Sequence, residues 1–164
     1  MRPLAAALAL AAAALAAAPC AAEGAGGIAV RGAFAHPTPP GAPVAGAYAT
    51  LANGGAADDL LIGVEVDPAV AGLAQIHEMR AEDGVMRMAE VEGGVPIPAG
   101  GAAVLAPGGL HVMLMDLAAP FAPGDRIEAV LVFRDAGAVP VAFEVIARGE
   151  VPADASETGT HSGH

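Results

Sequence analysis

The chain has 164 residues, with 18 acidic against seven basic side chains and a formal net charge of −11. All seven basic residues are Arg and no basic run occurs, so nothing can neutralise phosphates; nucleic-acid and anionic-membrane binding are excluded. Aromatic residues make up 3% and Trp is absent. A core must therefore come mainly from Val, Leu, Ile, Ala and Met, and the length fits one domain.

Residues 1–22 read MRPLAAALALAAAALAAAPCAA. Arg2 precedes an apolar run from Leu4 to Ala18, and small residues follow. That is the order of a secretory signal peptide, and the run is too short to favour a membrane span. Cys20 and Ala22 are the small residues before a cut after Ala22. Cleavage there predicts a periplasmic chain starting at Glu23, with no membrane insertion. It leaves no cysteine, hence no disulfide and no thiol redox chemistry. The alternative is a lipoprotein acylated at Cys20; Pro19 directly before it, and Ala17 in place of a leucine three residues upstream, fit that less well.

From Ile28 onward, short apolar runs alternate with Gly/Pro turns. The runs are Ile28–Phe34, Val44–Ala52, Leu60–Val66, Leu73–Met79, Val85–Val91, Ala102–Leu105, Leu110–Leu117, Arg126–Phe133 and Val139–Arg148. Pro37–Pro43, Asn53-Gly54-Gly55, Glu82-Asp83-Gly84, Gly93–Gly101, Pro107-Gly108-Gly109 and Pro123-Gly124-Asp125 separate them. Such spacing predicts an all-β sandwich or barrel as a single domain over residues 23–151. Leu73–Met79 and Val85–Val91 read as a hairpin, and Pro68–Leu73 is long enough for one helical turn. Ile127, Ala129, Leu131 and Phe133 share one strand face, as do Val141, Phe143 and Val145. Residues 152–164 (PADASETGTHSGH) are small and polar, and read as a flexible tail.

Met79, Met86, Met88, Met113 and Met115 cluster in one stretch, with His77 and His111 two residues before Met79 and Met113. On a strand, residues i and i+2 point to the same face, roughly 6.6 Å apart along the backbone. An imidazole and a thioether can then converge on one ion. Thioether sulfur is soft and neutral, a poor ligand for Zn²⁺, Ca²⁺ or Mg²⁺. Mixed His and Met without Cys points to copper, and to Cu(I) above Cu(II). The same Met residues also suit a core poor in aromatics, and five exceed what one site needs, so some belong to the core.

These residues resemble the PCu(A)C-type periplasmic copper chaperones, whose motif is His-x10-Met-x21-His-x-Met. Here His77, Met88, His111 and Met113 give His-x10-Met-x22-His-x-Met. The extra residue is expected in the Gly93-Gly94-Val95-Pro96 loop. Flanking text agrees at HEM (77–79), MRM (86–88), VEG (91–93), IPAG (97–100), PGGLHVMLM (107–115) and PTPPGAPVAGAYATLAN (37–53). The resemblance implies a cupredoxin-like or immunoglobulin-like β-sandwich of Greek-key type. It implies one Cu(I) held near the surface by His77, Met88, His111 and Met113. It also implies delivery to cytochrome c oxidase, at subunit II or through a Sco-type partner. Met79, Met86 and Met115 fall outside the motif and read as core or as support around the ion.

A monomer that hands copper on by ligand exchange is the leading expectation, and periplasmic copper buffering without a dedicated recipient is the runner-up. An electron-transfer cupredoxin needs a Cys beside two His, which the mature chain lacks. An enzyme is not expected: Ser occurs only at Ser156 and Ser162, and no triad or carboxylate pair stands out. In the tail, His161 and His164, with backbone amides and the terminal carboxylate, suit the N/O preference of Cu(II). The alternative for that tail is a solubilising extension.

Overall fold

The computed structural model describes residues 22–23, 26–150 and 152. The segment read as a signal peptide, with Cys20, and the tail with His161 and His164 lie outside the described residues.

The described residues form strands only. In chain order these are β1 (Ala22–Glu23), β2 (Ile28–Ala35), β3 (Val44–Asn53), β4 (Asp59–Val66), β5 (Ala71–Glu82), β6 (Val85–Glu90), β7 (Val95–Ile97), β8 (Ala102–Leu105), β9 (Leu110–Leu117), β10 (Arg126–Phe133) and β11 (Gly137–Val145). Nine of these strands overlap an expected run along most of its length, and three match it residue for residue: Ala102–Leu105, Leu110–Leu117 and Arg126–Phe133. Pro68–Val70 form a hydrogen-bonded turn in which Val70 and Ala71 N–H donate to the Asp67 carbonyl. One expectation is corrected. Val95 and Pro96 lie in a strand, with Leu60 opposite Pro96 and Leu61 opposite Val95. Only Gly93 and Gly94, both at positive φ, remain in the loop. Proline is tolerated there because β7 ends the sheet, where a missing N–H breaks no inner ladder.

The sheet runs β6-β5-β9-β3-β2-β11-β10-β4-β7, with β1 on β2 and β8 on β3. It folds over into a sandwich-like single domain. β2 joins the halves: it pairs antiparallel with β3, shifts register between Arg31 and Phe34, and then runs parallel to β11. Alternation decides what is buried. Ala45, Ala47, Ala49 and Leu51 of β3 face inward with Val112 and Leu114 of β9 and Ile76 of β5. Ile127, Leu131, Phe133, Val139, Val141, Phe143 and Val145 face them from β10 and β11. The remaining residues of β3, β9 and β5 point out of the sandwich, and those are the ones that carry the His and Met pattern.

Two buried polar residues fix the end of this core. Asn53 donates to the carbonyls of Ala57 and Ile97 at 2.9 and 3.0 Å and accepts from Gly55 N–H at 2.9 Å. The Asp59 carboxylate accepts from the N–H groups of Leu60, Asp135 and Ala136 at 2.7, 2.9 and 2.9 Å. Burial alone pushes the Asp59 carboxyl up. The three N–H donors and the Arg134 guanidinium outweigh it and hold the group below the ordinary carboxylate value.

Candidate metal centre

The β5–β6 hairpin turns at Asp83 and Gly84, with φ of 53° and 80°. Positive φ at both turn residues suits the right-handed twist of the flanking strands, and Asp-Gly supplies it at little cost. The turn fixes the register: Met79 stands opposite Met88, and His77 opposite Glu90. On its other side β5 pairs with β9, where His77 stands directly opposite His111 and Gln75 opposite Met113. Residues directly opposite share a face, with Cβ atoms about 4.5–5.5 Å apart. His77, Met88, His111 and Met113 therefore lie on one outward face of three adjacent strands. The two imidazole centroids are 6.1 Å apart.

Met88, His111 and Met113 line one open cavity of about 220 Å³. His77 borders it through His111 and is not part of its lining. His111 is only 5% exposed although its strand face points outward. Tyr48, ring centroid 6.4 Å away, and His77 flank it on either side.

Each imidazole is held so that one nitrogen is free. The Nδ1 of His111 lies 2.9 Å from the Gly109 carbonyl oxygen. A carbonyl only accepts, so Nδ1 carries the hydrogen and Nε2 keeps the lone pair. The same carbonyl accepts from Met79 N–H at 3.2 Å, tying β5 to the turn before β9. The Nε2 of His77 lies 3.1 Å from Gln75 Oε1, which leaves its Nδ1 as the acceptor. That Nδ1 is buried and has no hydrogen-bond partner among the described residues. Burial, then neighbouring His111, push the His77 pKa down, and Glu90 pulls only partly the other way. A neutral imidazole with an unpaired, buried lone pair is suited to a metal ion and poorly suited to a structural role. Two imidazoles and two thioethers form a neutral, soft donor set that matches Cu(I) and not a hard cation.

The other methionines are placed by the same registers. Met115 and Met79 are half-buried, and Met79 is the nearest rival to Met88 as a sulfur donor. Met88 lines the cavity with His111 and Met113, whereas Met79 does not. Met86 is 55% exposed near the hairpin tip. The expectation of a core position for it is corrected: β6 is an edge strand exposed along its whole length.

Nine residues outside the motif also line the cavity, and three of them carry polar or charged groups on large side chains: His36, Tyr48 and Arg148. Tyr48 folds its phenol over Gly46, where an added Cβ would lie 2.6 Å from the hydroxyl oxygen. Burial pushes the phenol's pKa up, with Arg148 pulling the other way. Gly46 in turn stands opposite Met113. Gly46→Ala is therefore expected to push the Tyr48 ring aside while leaving the fold intact. A changed near-ultraviolet circular dichroism band with unaltered far-ultraviolet spectra would report this; an unchanged tyrosine band would refute it.

The fold and this face define a small all-β domain with a surface His/Met cluster. The LpqE-like family, described as "Putative lipoprotein LpqE-like", matches residues 28–145, and the chain belongs to it. "Putative lipoprotein Lxx21020" of Leifsonia xyli subsp. xyli (strain CTCB07) is 36% identical over 105 residues, 64% of this chain. The matched region spans 62% of that relative's length. Among solved structures, the apo PCuAC domain from PmoF1 has 29% identity and a TM-score of 0.62, covering 74% of this chain and 95% of that one. The copper-bound PCuAC domain from PmoF2 has 27% identity and a TM-score of 0.62, covering 74% and 94%. The Cu(I) form of DR1885 from Deinococcus radiodurans has 28% identity and a TM-score of 0.56, covering 73% and 78%. The PCuAC-type resemblance and the β-sandwich class read from the sequence are thus borne out.

Proposed function

We propose that the chain is an exported copper chaperone that holds one Cu(I) at His77, Met88, His111 and Met113. The observation that carries this reading is the direct pairing of His77 with His111, each with one unpaired nitrogen, on the face that bears Met88 and Met113. Copper-bound PCuAC domains of similar sequence and fold support it.

The mechanism is ligand exchange. The cavity is open on one side, and Met88 is 46% exposed on an edge strand. Neutral thioethers leave more readily than thiolates. An incoming Cys or His of a partner can displace Met88 first, then Met113, while the imidazoles hold the ion. The acidic chain suits a basic docking patch on the recipient. The recipient proposed is cytochrome c oxidase, at subunit II directly or through a Sco-type partner.

Export in this reading ends in cleavage after Ala22. The lipoprotein descriptions of the family and of the Leifsonia relative support the alternative, acylation at Cys20. Intact-mass analysis separates a chain beginning at Glu23 from a lipidated one beginning at Cys20.

Anaerobic titration against a chromogenic chelator tests the binding. One equivalent of Cu(I) is expected, with affinity lowered about 100-fold or more by His111→Ala. Binding unaffected by that substitution would refute the site. Gene deletion tests the role: loss of oxidase activity at low copper supports a chaperone, and copper sensitivity with intact oxidase supports a buffer.

A further inference from the structure

Among the described residues, two buried side-chain nitrogen or oxygen atoms have no hydrogen-bond partner. Both are histidine Nδ1 atoms. One belongs to His77 in the His/Met cluster. The other belongs to His36, just beyond the end of β2, which the His/Met motif does not include. A buried polar atom left unpaired forfeits its hydration without a replacement hydrogen bond, so each asks for an explanation. At His77 the explanation offered above is a metal ion.

His36 lines the same cavity as Met88, His111 and Met113. Its ring lies 5.4 Å from Tyr48 and 5.5 Å from Phe34, and the Tyr48 ring lies 6.4 Å from His111. The Tyr48 hydroxyl sits over Gly46, the residue opposite Met113. The cavity therefore has two chemically different sides. Met88 and Met113 give soft sulfur on one side. His36 and the Tyr48 hydroxyl give nitrogen and oxygen on the other, with the Tyr48 ring against both His36 and His111. No three His, Cys, Asp or Glu side chains converge among the described residues. For an ion on the second side, the donors in the cavity lining besides His36 are His111, Tyr48 and solvent.

We propose that His36 is a fifth copper ligand of this chain, engaged when the ion in the cavity is Cu(II). The proposal rests on the copper-site reading above. Cu(II) favours nitrogen and oxygen donors in tetragonal arrangements, whereas thioethers favour Cu(I). Cu(I) sits with the methionines and both cluster imidazoles, and Cu(II) sits toward His36 with His111 retained. The open face lets water fill the remaining positions, and the absence of a side chain at Gly46 lets the Tyr48 hydroxyl sit over β3 there. The cavity thus accepts copper in either oxidation state, without requiring the chain to change that state.

The test is Cu(II) titration followed by electron paramagnetic resonance, paired with Cu(I) competition against a chelator. The exported protein carrying His161→Ala and His164→Ala serves as the reference, so that tail imidazoles do not contribute. Adding His36→Phe keeps a ring against Phe34 and Tyr48. It is expected to weaken Cu(II) binding about tenfold or more and to remove one nitrogen from the superhyperfine pattern. Cu(I) affinity should stay within about threefold. His36→Ala should behave the same way, and thermal melts of the apo proteins verify folding. Unchanged Cu(II) affinity and hyperfine structure would overturn the proposal, as would an equal loss for Cu(I) and Cu(II). His111→Ala separates the two levels: if it alters neither oxidation state, the copper-site reading itself fails.

Discussion

Met113→Leu is expected to lower Cu(I) affinity about 100-fold, or about 2.7 kcal/mol, while leaving the fold intact. Leucine nearly conserves the volume of methionine, so packing costs less than about 1.5 kcal/mol. What disappears is the sulfur. Met113 stands between Gly46 and Gln75, neither of which offers a replacement soft donor. Met88→Leu should act similarly, because Met88 lines the same cavity. Met86→Leu and Met79→Leu should change affinity by less than about threefold. Chelator competition on the four variants checks this. Equal losses at Met79 and Met88 would mean that the hairpin sulfurs are interchangeable and that the cavity does not select between them.

The second large effect is on stability. Asp59→Ala should cost on the order of 3 kcal/mol and lower Tm by about 10 °C. The carboxylate is the acceptor for three backbone N–H groups, two of them in the turn between β10 and β11. Removal leaves buried donors unpaired. The sign with pH follows from the lowered carboxyl pKa. Asp59 contributes its full stabilisation above its ordinary value of 3.8 and loses it as the pH falls through the lower folded value. The difference between wild type and Asp59→Ala in denaturant melts should therefore be large at neutral pH and shrink in acid. A difference independent of pH would contradict the assigned role.

The strands were legible because their burial alternates. Val139, Val141, Phe143 and Val145 are at most 5% exposed while Pro140 and Glu144 face solvent, so period two was visible in the residues themselves. β7 was hidden because Gly93-Gly94 and Pro98 surround it and Pro96 lies within it; its pairing with β4 is a long-range choice that local composition does not encode. The same division runs through the candidate site. His-x-Met spacing announces a shared face within one strand. It cannot announce that His77 and His111 stand opposite one another, since that register depends on β5 and β9 meeting across three intervening strands, β6, β7 and β8. His36 was missed for a related reason. It lies in the same stretch of chain as Phe34 and Pro37, with no methionine near it in sequence, and reaches the cavity only because β2 pairs with β3.

X-ray absorption at the copper edge of the Cu(I)-loaded exported protein addresses the donor set itself. Two imidazole nitrogens and two thioether sulfurs are predicted around a single ion, with Met113→Leu removing one sulfur and His111→Ala one nitrogen. A spectrum without sulfur scatterers, or one that neither substitution alters, would contradict a Cu(I) centre built from His77, Met88, His111 and Met113.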